Sequence, residues 1–158
     1  NDFIDNGGVL TDDNPDAVVV GFDTTLTYEK LNKACALIRQ GLPFLATHPD
    51  MNCPVNGGLI PDCGAICAAI TASTEKGPKY LGKPSMQTVD YVIEHTGRSK
   101  KELVFVGDRL ETDIAIGSKH GITSALVLTG VTHLKDLASS KVKPDIIADR
   151  LVELTKYL

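Results

Sequence analysis

Apolar residues along this chain switch repeatedly between continuous runs and helical spacing. After a turn signal at Asn14-Pro15, AVVVGFD (17–23) is a continuous apolar run that predicts a buried strand. Thr27 can cap a helix over LTYEKLNKACALIRQG. Its apolar positions Leu31, Ala34, Cys35, Leu37 and Ile38 recur at helical spacing, and Gly41 stops it. PFLATHPD (43–50) predicts a second strand ending in a polar turn, so a parallel strand–helix–strand unit is expected. A Gly/Pro/Asn-rich loop follows over 51–64, then a short helix over AICAAITAST (65–74), broken by KGP.

The alternation continues in the second half. PKYLG (78–82) predicts a short strand, and SMQTVDYVIEHTG a helix stopped by Gly97. ELVFVGD predicts a strand, TDIAIGSKHG a helix ending near Gly121, and TSALVLTG a strand. HLKDLASS predicts a short helix, DIIAD a short strand, and RLVELTKYL a final helix. Near-continuous Val/Ile/Leu strands alternating with helices define an α/β fold with parallel pairing and helices on both sheet faces.

Composition narrows the function. The 158 residues are 42% hydrophobic and 23% charged, enough for one sizeable core or two small ones. A formal net charge of −4 with no basic run argues against a nucleic-acid or anionic-membrane face. No apolar stretch is long enough to span a bilayer, and no signal-peptide pattern opens the chain. Cys35, Cys53, Cys63 and Cys67 form no Cys-x-x-Cys pair. A zinc site from Cys53, Cys63, Cys67 and His48 fits no common template, so reduced thiols in a cytoplasmic protein are expected. The opening NDFIDNGG is polar and turn-rich, and the chain starts without Met, as a fragment or processed product would.

Three candidate chemical groups sit where strands end, the position at which open α/β sheets gather ligands. Asp108 closes an apolar strand behind Gly107, and Asp113 follows five residues later at a helix start. Two such carboxylates suit a hard cation such as Mg²⁺, although Asp113 could equally complement the helix dipole. Lys83 follows Gly82 and precedes Pro84, where its ammonium could neutralise a phosphate. THPD (47–50) is either a polar turn or part of a site.

Together these segments resemble the haloacid-dehalogenase-like (HAD) phosphatases, in their NagD-like, 4-nitrophenylphosphatase branch. GFDTTLTYEKLNKACALIRQG is similar to the first strand and helix of that branch's C2-type cap domain, and ATHPD to a turn ending a cap strand. GGLIPDCGAICAAI is similar to its substrate-specificity loop and following helix. YLGKPS resembles the family's Lys motif and VFVGDRLETDIAIG its acidic metal motif. The resemblance implies a linker or core remnant over 1–13, a cap over 14–78 and the C-terminal half of a Rossmann-like core over 79–158. It also implies Mg²⁺-dependent hydrolysis of a small phosphorylated metabolite, such as a sugar phosphate or nucleoside monophosphate, through an aspartyl-phosphate. Lys83 and Asp108 would be catalytic, and Asp108 and Asp113 would hold the metal. Thr47, His48, Asp50, Lys83, Pro61 and Gly64 would contact substrate, the cap closing over it. A homodimer through the cap is a further implication.

One family element is missing. The nucleophile motif Asp-x-Asp-Gly-Thr does not occur. In VVVGFDTTLT, Gly21 falls on the nucleophile position and cannot attack phosphorus. Asp23 reads instead as a helix-entry residue, and Asp2 and Asp5 lie in no strand pattern. The expectation is that the attacking aspartate lies outside this sequence and that the chain alone is inactive. Residues 79–158 would then need a partner, either the missing core segment or a second copy. A non-catalytic phosphate- or metal-binding module is the alternative, and a receiver-like domain explains fewer of the motifs.

Overall fold

The computed structural model describes residues 2–157. The chain divides after Tyr80 into two compact units, where the sequence places a boundary at 78/79. The first contains α1 (Asp2–Asp5), β1 (Val18–Val20), α2 (Tyr28–Arg39), β2 (Phe44–Ala46), β3 (Asn52–Val55), β4 (Gly58–Pro61), α3 (Cys63–Thr74) and β5 (Lys79–Tyr80). β1, β2 and β5 form a parallel sheet in that order, with Val18 opposite Phe44 and Leu45 opposite Lys79.

Thr27 caps α2 as its type predicts, its hydroxyl accepting from the Lys30 amide at 3.2 Å. The apolar stripe of α2 then delivers Cys35 and Ile38 to a core with Val18, Val20, Phe44, Ala46, Cys63, Cys67 and Ile70. Each fully buried aliphatic side chain there contributes about 1.5–3 kcal/mol over its exposed state. Val19, between two buried neighbours, is 43% exposed, as is Phe22. The run AVVVGF therefore sits in a sheet covered on one face at β1, not on both.

The 51–64 segment is not an irregular loop. β3 and β4 pair as an antiparallel hairpin, with Val55 opposite Gly58. The Asn56-Gly57 turn explains it, because Gly57 (φ +96°) and Gly58 (φ +150°) occupy backbone regions that favour glycine. The third helix also starts earlier than residue 65, because Asp62 caps it, its carboxylate accepting from the Cys63 amide at 2.6 Å.

The second unit contains α4 (Met86–Thr96), β6 (Val104–Gly107), α5 (Ala115–His120), β7 (Thr123–Val127), α6 (Asp136–Ser139) and β8 (Ile146–Ala148). β6, β7 and β8 pair in parallel in that order. Phe105 of β6 packs with Val89 of α4 and Ile116 of α5, while Leu126 of β7 packs with Leu110 and Ile114. The opposite face of β6 carries Val104 and Val106, 53% and 40% exposed. Two helical expectations change. The helix over 112–121 is entered through a π-helical turn, Leu110–Ile114, which lets the Asp113 carboxylate fold back onto residues 108 and 109. The final segment is 3₁₀ over Leu151–Tyr157, and its last predicted residue, Leu158, lies outside the described residues.

Candidate active site and metal-binding residues

In the second unit the structure brings Lys83, Asp108 and Asp113 together at the carboxyl end of β6. Asp113 is the hub. One oxygen, Oδ2, accepts from the amides of Asp108 (3.2 Å) and Arg109 (3.1 Å), and Oδ1 accepts from Lys83 Nζ at 2.5 Å. The residue is only 6% exposed, so a charge-assisted network of this kind replaces the water it has lost. The Lys83 side chain is about half exposed. Its loop is held by Ser85 and Thr88, whose hydroxyls both donate to the Leu81 carbonyl, and by His120 Nε2 against the Pro84 carbonyl at 2.9 Å. The Lys83–Pro84 peptide is cis.

Asp108 is less encumbered. Its Oδ2 accepts from the Val131 amide at 2.7 Å, and its carbonyl accepts from the Thr132 amide at 3.1 Å. Among the described residues Oδ1 accepts no hydrogen bond. Two glycines make room for these carboxylates: a Cβ on Gly107 would overlap Asp113, and one on Gly130 would overlap Asp108. Gly130 and Val131 escaped the sequence reading, which took TSALVLTG simply as a strand. The donor set is all hard oxygen, with one unbonded oxygen on Asp108, and so fits Mg²⁺ held by one or two carboxylates.

The remaining candidates lie in the first unit. His48 Nε2 stands 2.8 Å from Asp62 Oδ1, and His48 Nδ1 stands 2.9 Å from the Thr47 hydroxyl. The Gly64 amide donates to the Asp50 carbonyl at 2.8 Å, and a Cβ on Gly64 would overlap the Pro49 carbonyl. Gly64 is therefore a packing requirement that seats the HPD turn on the start of α3. Pro61 ends β4, opposite Asn52. Among the described residues, His48, Asp50 and Asp62 are the one group of three metal-ligating side chains, with ligand atoms within 4.8 Å of one another. Asp62 was missed as a site residue, although an Asp directly before an apolar helical run was the available signal.

Among the described residues, Cys53, Cys63, Cys67 and His48 do not come together as a metal-ligating group. The Cys63 thiol donates to the Val20 carbonyl and lies 4.0 Å from Cys67 Sγ, both buried. Burial pushes the Cys67 thiol up to about 12, and burial likewise raises the Tyr80 phenol. All four cysteines are free thiols. Asp23 is drawn down to about 2, chiefly by Lys30 Nζ at 2.9 Å and then by the Thr25 hydroxyl and amide. It organises the entry to α2.

A lysine paired with one member of a glycine-backed acidic pair, at the end of a parallel strand, points to a class. Residues 80–154 match the family described as HAD-hydrolase-like. The chain belongs to the haloacid-dehalogenase-like superfamily, and within it to the NagD-like branch. It is 35% identical to the 5'-nucleotidase YutF of Bacillus subtilis, over 98% of this chain and 60% of that protein. It is 38% identical to an acid sugar phosphatase of Staphylococcus aureus, over 86% of this chain and 52% of that protein. Among solved structures, a 4-nitrophenylphosphatase from Thermotoga maritima superposes with a TM-score of 0.92 at 50% identity, over 98% of this chain and 59% of that one. NagD from E. coli K-12 superposes with a TM-score of 0.84 at 35% identity, over 95% and 59%. The chain thus spans about 60% or less of the length of these relatives. Among the described residues, no helix is long and apolar enough to cross a membrane.

Proposed function

We propose that these residues belong to a Mg²⁺-dependent phosphatase of small phosphorylated metabolites, sugar phosphates or nucleoside monophosphates. The observation that carries this reading is the Lys83–Asp113 contact of 2.5 Å beside the unbonded oxygen of Asp108. Asp108 would hold the metal directly, with Asp113 behind it fixing the Asp108 amide and the Lys83 ammonium. Mg²⁺ would supply neutralisation of phosphoryl charge. Lys83 would bind a phosphate oxygen and keep the transferring group oriented. Thr47, His48, Asp50 and Pro61 are the residues we assign to leaving-group selection, with Gly64 serving it by seating the HPD turn. The attacking aspartate is assigned outside this sequence, because no Asp-x-Asp-Gly-Thr occurs in it. Four free cysteines support a cytoplasmic setting.

The test is hydrolysis of 4-nitrophenyl phosphate with and without Mg²⁺. The chain alone is expected to be inert. Fused to the part of the Thermotoga relative that it does not cover, it should turn over, and Asp108→Asn in that fusion should abolish turnover. A folded fusion without activity would overturn the phosphatase reading. Turnover by the chain alone, lost in Asp108→Asn, would place the nucleophile within these residues.

A further inference from the structure

We propose that His48, Asp50 and Asp62 form a second cation site, for a borderline divalent ion of the zinc class, separate from the carboxylates of the second unit. The ligand chemistry comes first. One imidazole and two carboxylates suit zinc-class ions better than Mg²⁺, which favours an all-oxygen set. The three ligand atoms lie within 4.8 Å of one another, and two of them, His48 Nε2 and Asp62 Oδ1, are already at 2.8 Å. Ligands about 2.1 Å from one ion stand at most ~4.2 Å apart, so small side-chain rotations close the set.

His48 is already oriented through its other nitrogen. Nδ1 stands 2.9 Å from the Thr47 hydroxyl and Nε2 stands 2.8 Å from Asp62 Oδ1, an imidazole–carboxylate pair that shares one proton. A divalent ion bound between the two would displace that proton. A histidine whose far nitrogen is tied by a hydroxyl is also how metal-binding imidazoles are commonly oriented. Asp62 supplies the buried carboxylate of the set: it is 6% exposed, its Oδ1 accepts from the Cys63 amide and faces His48, and among the described residues its Oδ2 accepts no hydrogen bond and so is open to an ion. The frame is rigid. The Gly64 amide holds the Asp50 carbonyl at 2.8 Å, and the Asp62 amide holds the Met51 carbonyl at 3.0 Å.

The experiment uses the full chain carrying Asp108→Asn, so that the other carboxylate site cannot answer for this one. Zn²⁺ titrated calorimetrically should bind at one equivalent, and Co²⁺ should give visible d–d bands of a nitrogen-containing site. His48→Gln should weaken Zn²⁺ at least tenfold and shift or remove the bands. Asp62→Asn should do the same, and an unchanged circular dichroism spectrum would show each variant folded. No Zn²⁺ binding, or binding unaltered by a folded His48→Gln, overturns the site. Because no phosphatase activity is read, this result stands or falls apart from the function proposed above.

Discussion

Replacing Asp113 by alanine should damage the fold far more than replacing Asp108, although the two look equivalent in the sequence. Asp113 is buried and accepts three donors: two amides at 3.1 and 3.2 Å and the Lys83 ammonium at 2.5 Å. A hydrogen bond to a charged acceptor contributes about 1.5–3 kcal/mol, and the two long amide bonds belong near the low end, about 1.5 each. Lys83 is about half exposed, so solvent screening limits the ion pair to about 0.5–1 kcal/mol. The expected loss for Asp113→Ala is therefore about 3–4 kcal/mol. Asp108 loses one side-chain bond, from Val131 at an exposed position, worth about 0.5–1 kcal/mol. Urea unfolding followed by circular dichroism reads the difference: a midpoint shift of about 2–2.7 M for Asp113→Ala against about 0.3–0.7 M for Asp108→Ala if m is about 1.5 kcal/mol/M. Hydrogen exchange on peptides from 81–157 assigns the loss to the second unit. A loss below 1 kcal/mol in Asp113→Ala, or equal losses in both variants, would refute the claim that Asp113 is the structural member of the pair.

The other expectations follow from single contacts. Gly64→Ala should cost about 2–3 kcal/mol by overpacking against the Pro49 and Asp50 carbonyls, read by the same unfolding assay. Asp23→Asn should cost only about 0.5 kcal/mol, because Lys30 and Asp23 are both solvent-exposed. Asp23 is held at about 2 against 3.8 unfolded, so its contribution is present above pH ~4 and fades as pH falls through about 2. The variant's deficit should shrink over that window, and a deficit constant down to pH 2 would contradict it. Cys67, with its thiol pushed up to about 12, should resist iodoacetamide at pH 8 in the native chain, whereas Cys53, only half-buried, should react first by mass spectrometry.

What the sequence made legible was whatever depends on local pattern. The β1–α2–β2 unit, its Thr27 cap and its parallel pairing follow from apolar period and one hydroxyl. Gly97, at φ +66°, ends α4 as its type predicts. The β3–β4 hairpin was equally available from Asn56-Gly57, but Pro54 and the surrounding glycines pulled the reading towards loop. The site divides in the same way. Lys83, Asp108 and Asp113 could be found because strand ends gather ligands. Their division of labour could not, because it depends on which carboxylate oxygen is already saturated. That is set by the π-helical turn at 110–114, and no residue type there announces it. Asp62 was hidden because its partner His48 is fourteen positions away, beyond the reach of any local period.

Both units leave strand residues bare, and this bears on how the chain behaves alone. In the first, Val19 and Phe22 are exposed; in the second, Val104, Val106 and Ile147 are. β6 also ends its sheet with one backbone edge unpaired among the described residues. Exposed apolar strands at a free edge template pairing with another chain, and units of about 80 residues have little core to offset the cost. At micromolar concentration the purified chain should therefore associate with a second copy, giving twice 16.9 kDa by light scattering, and should bind a hydrophobic dye. A charged residue on the bare face, Val106→Lys, should return it to a monomer without loss of helical signal. A chain that stays monomeric and dye-negative at 100 µM or so would mean that these faces are covered in solution, and the expectation that residues 79–158 need a partner would fall with it.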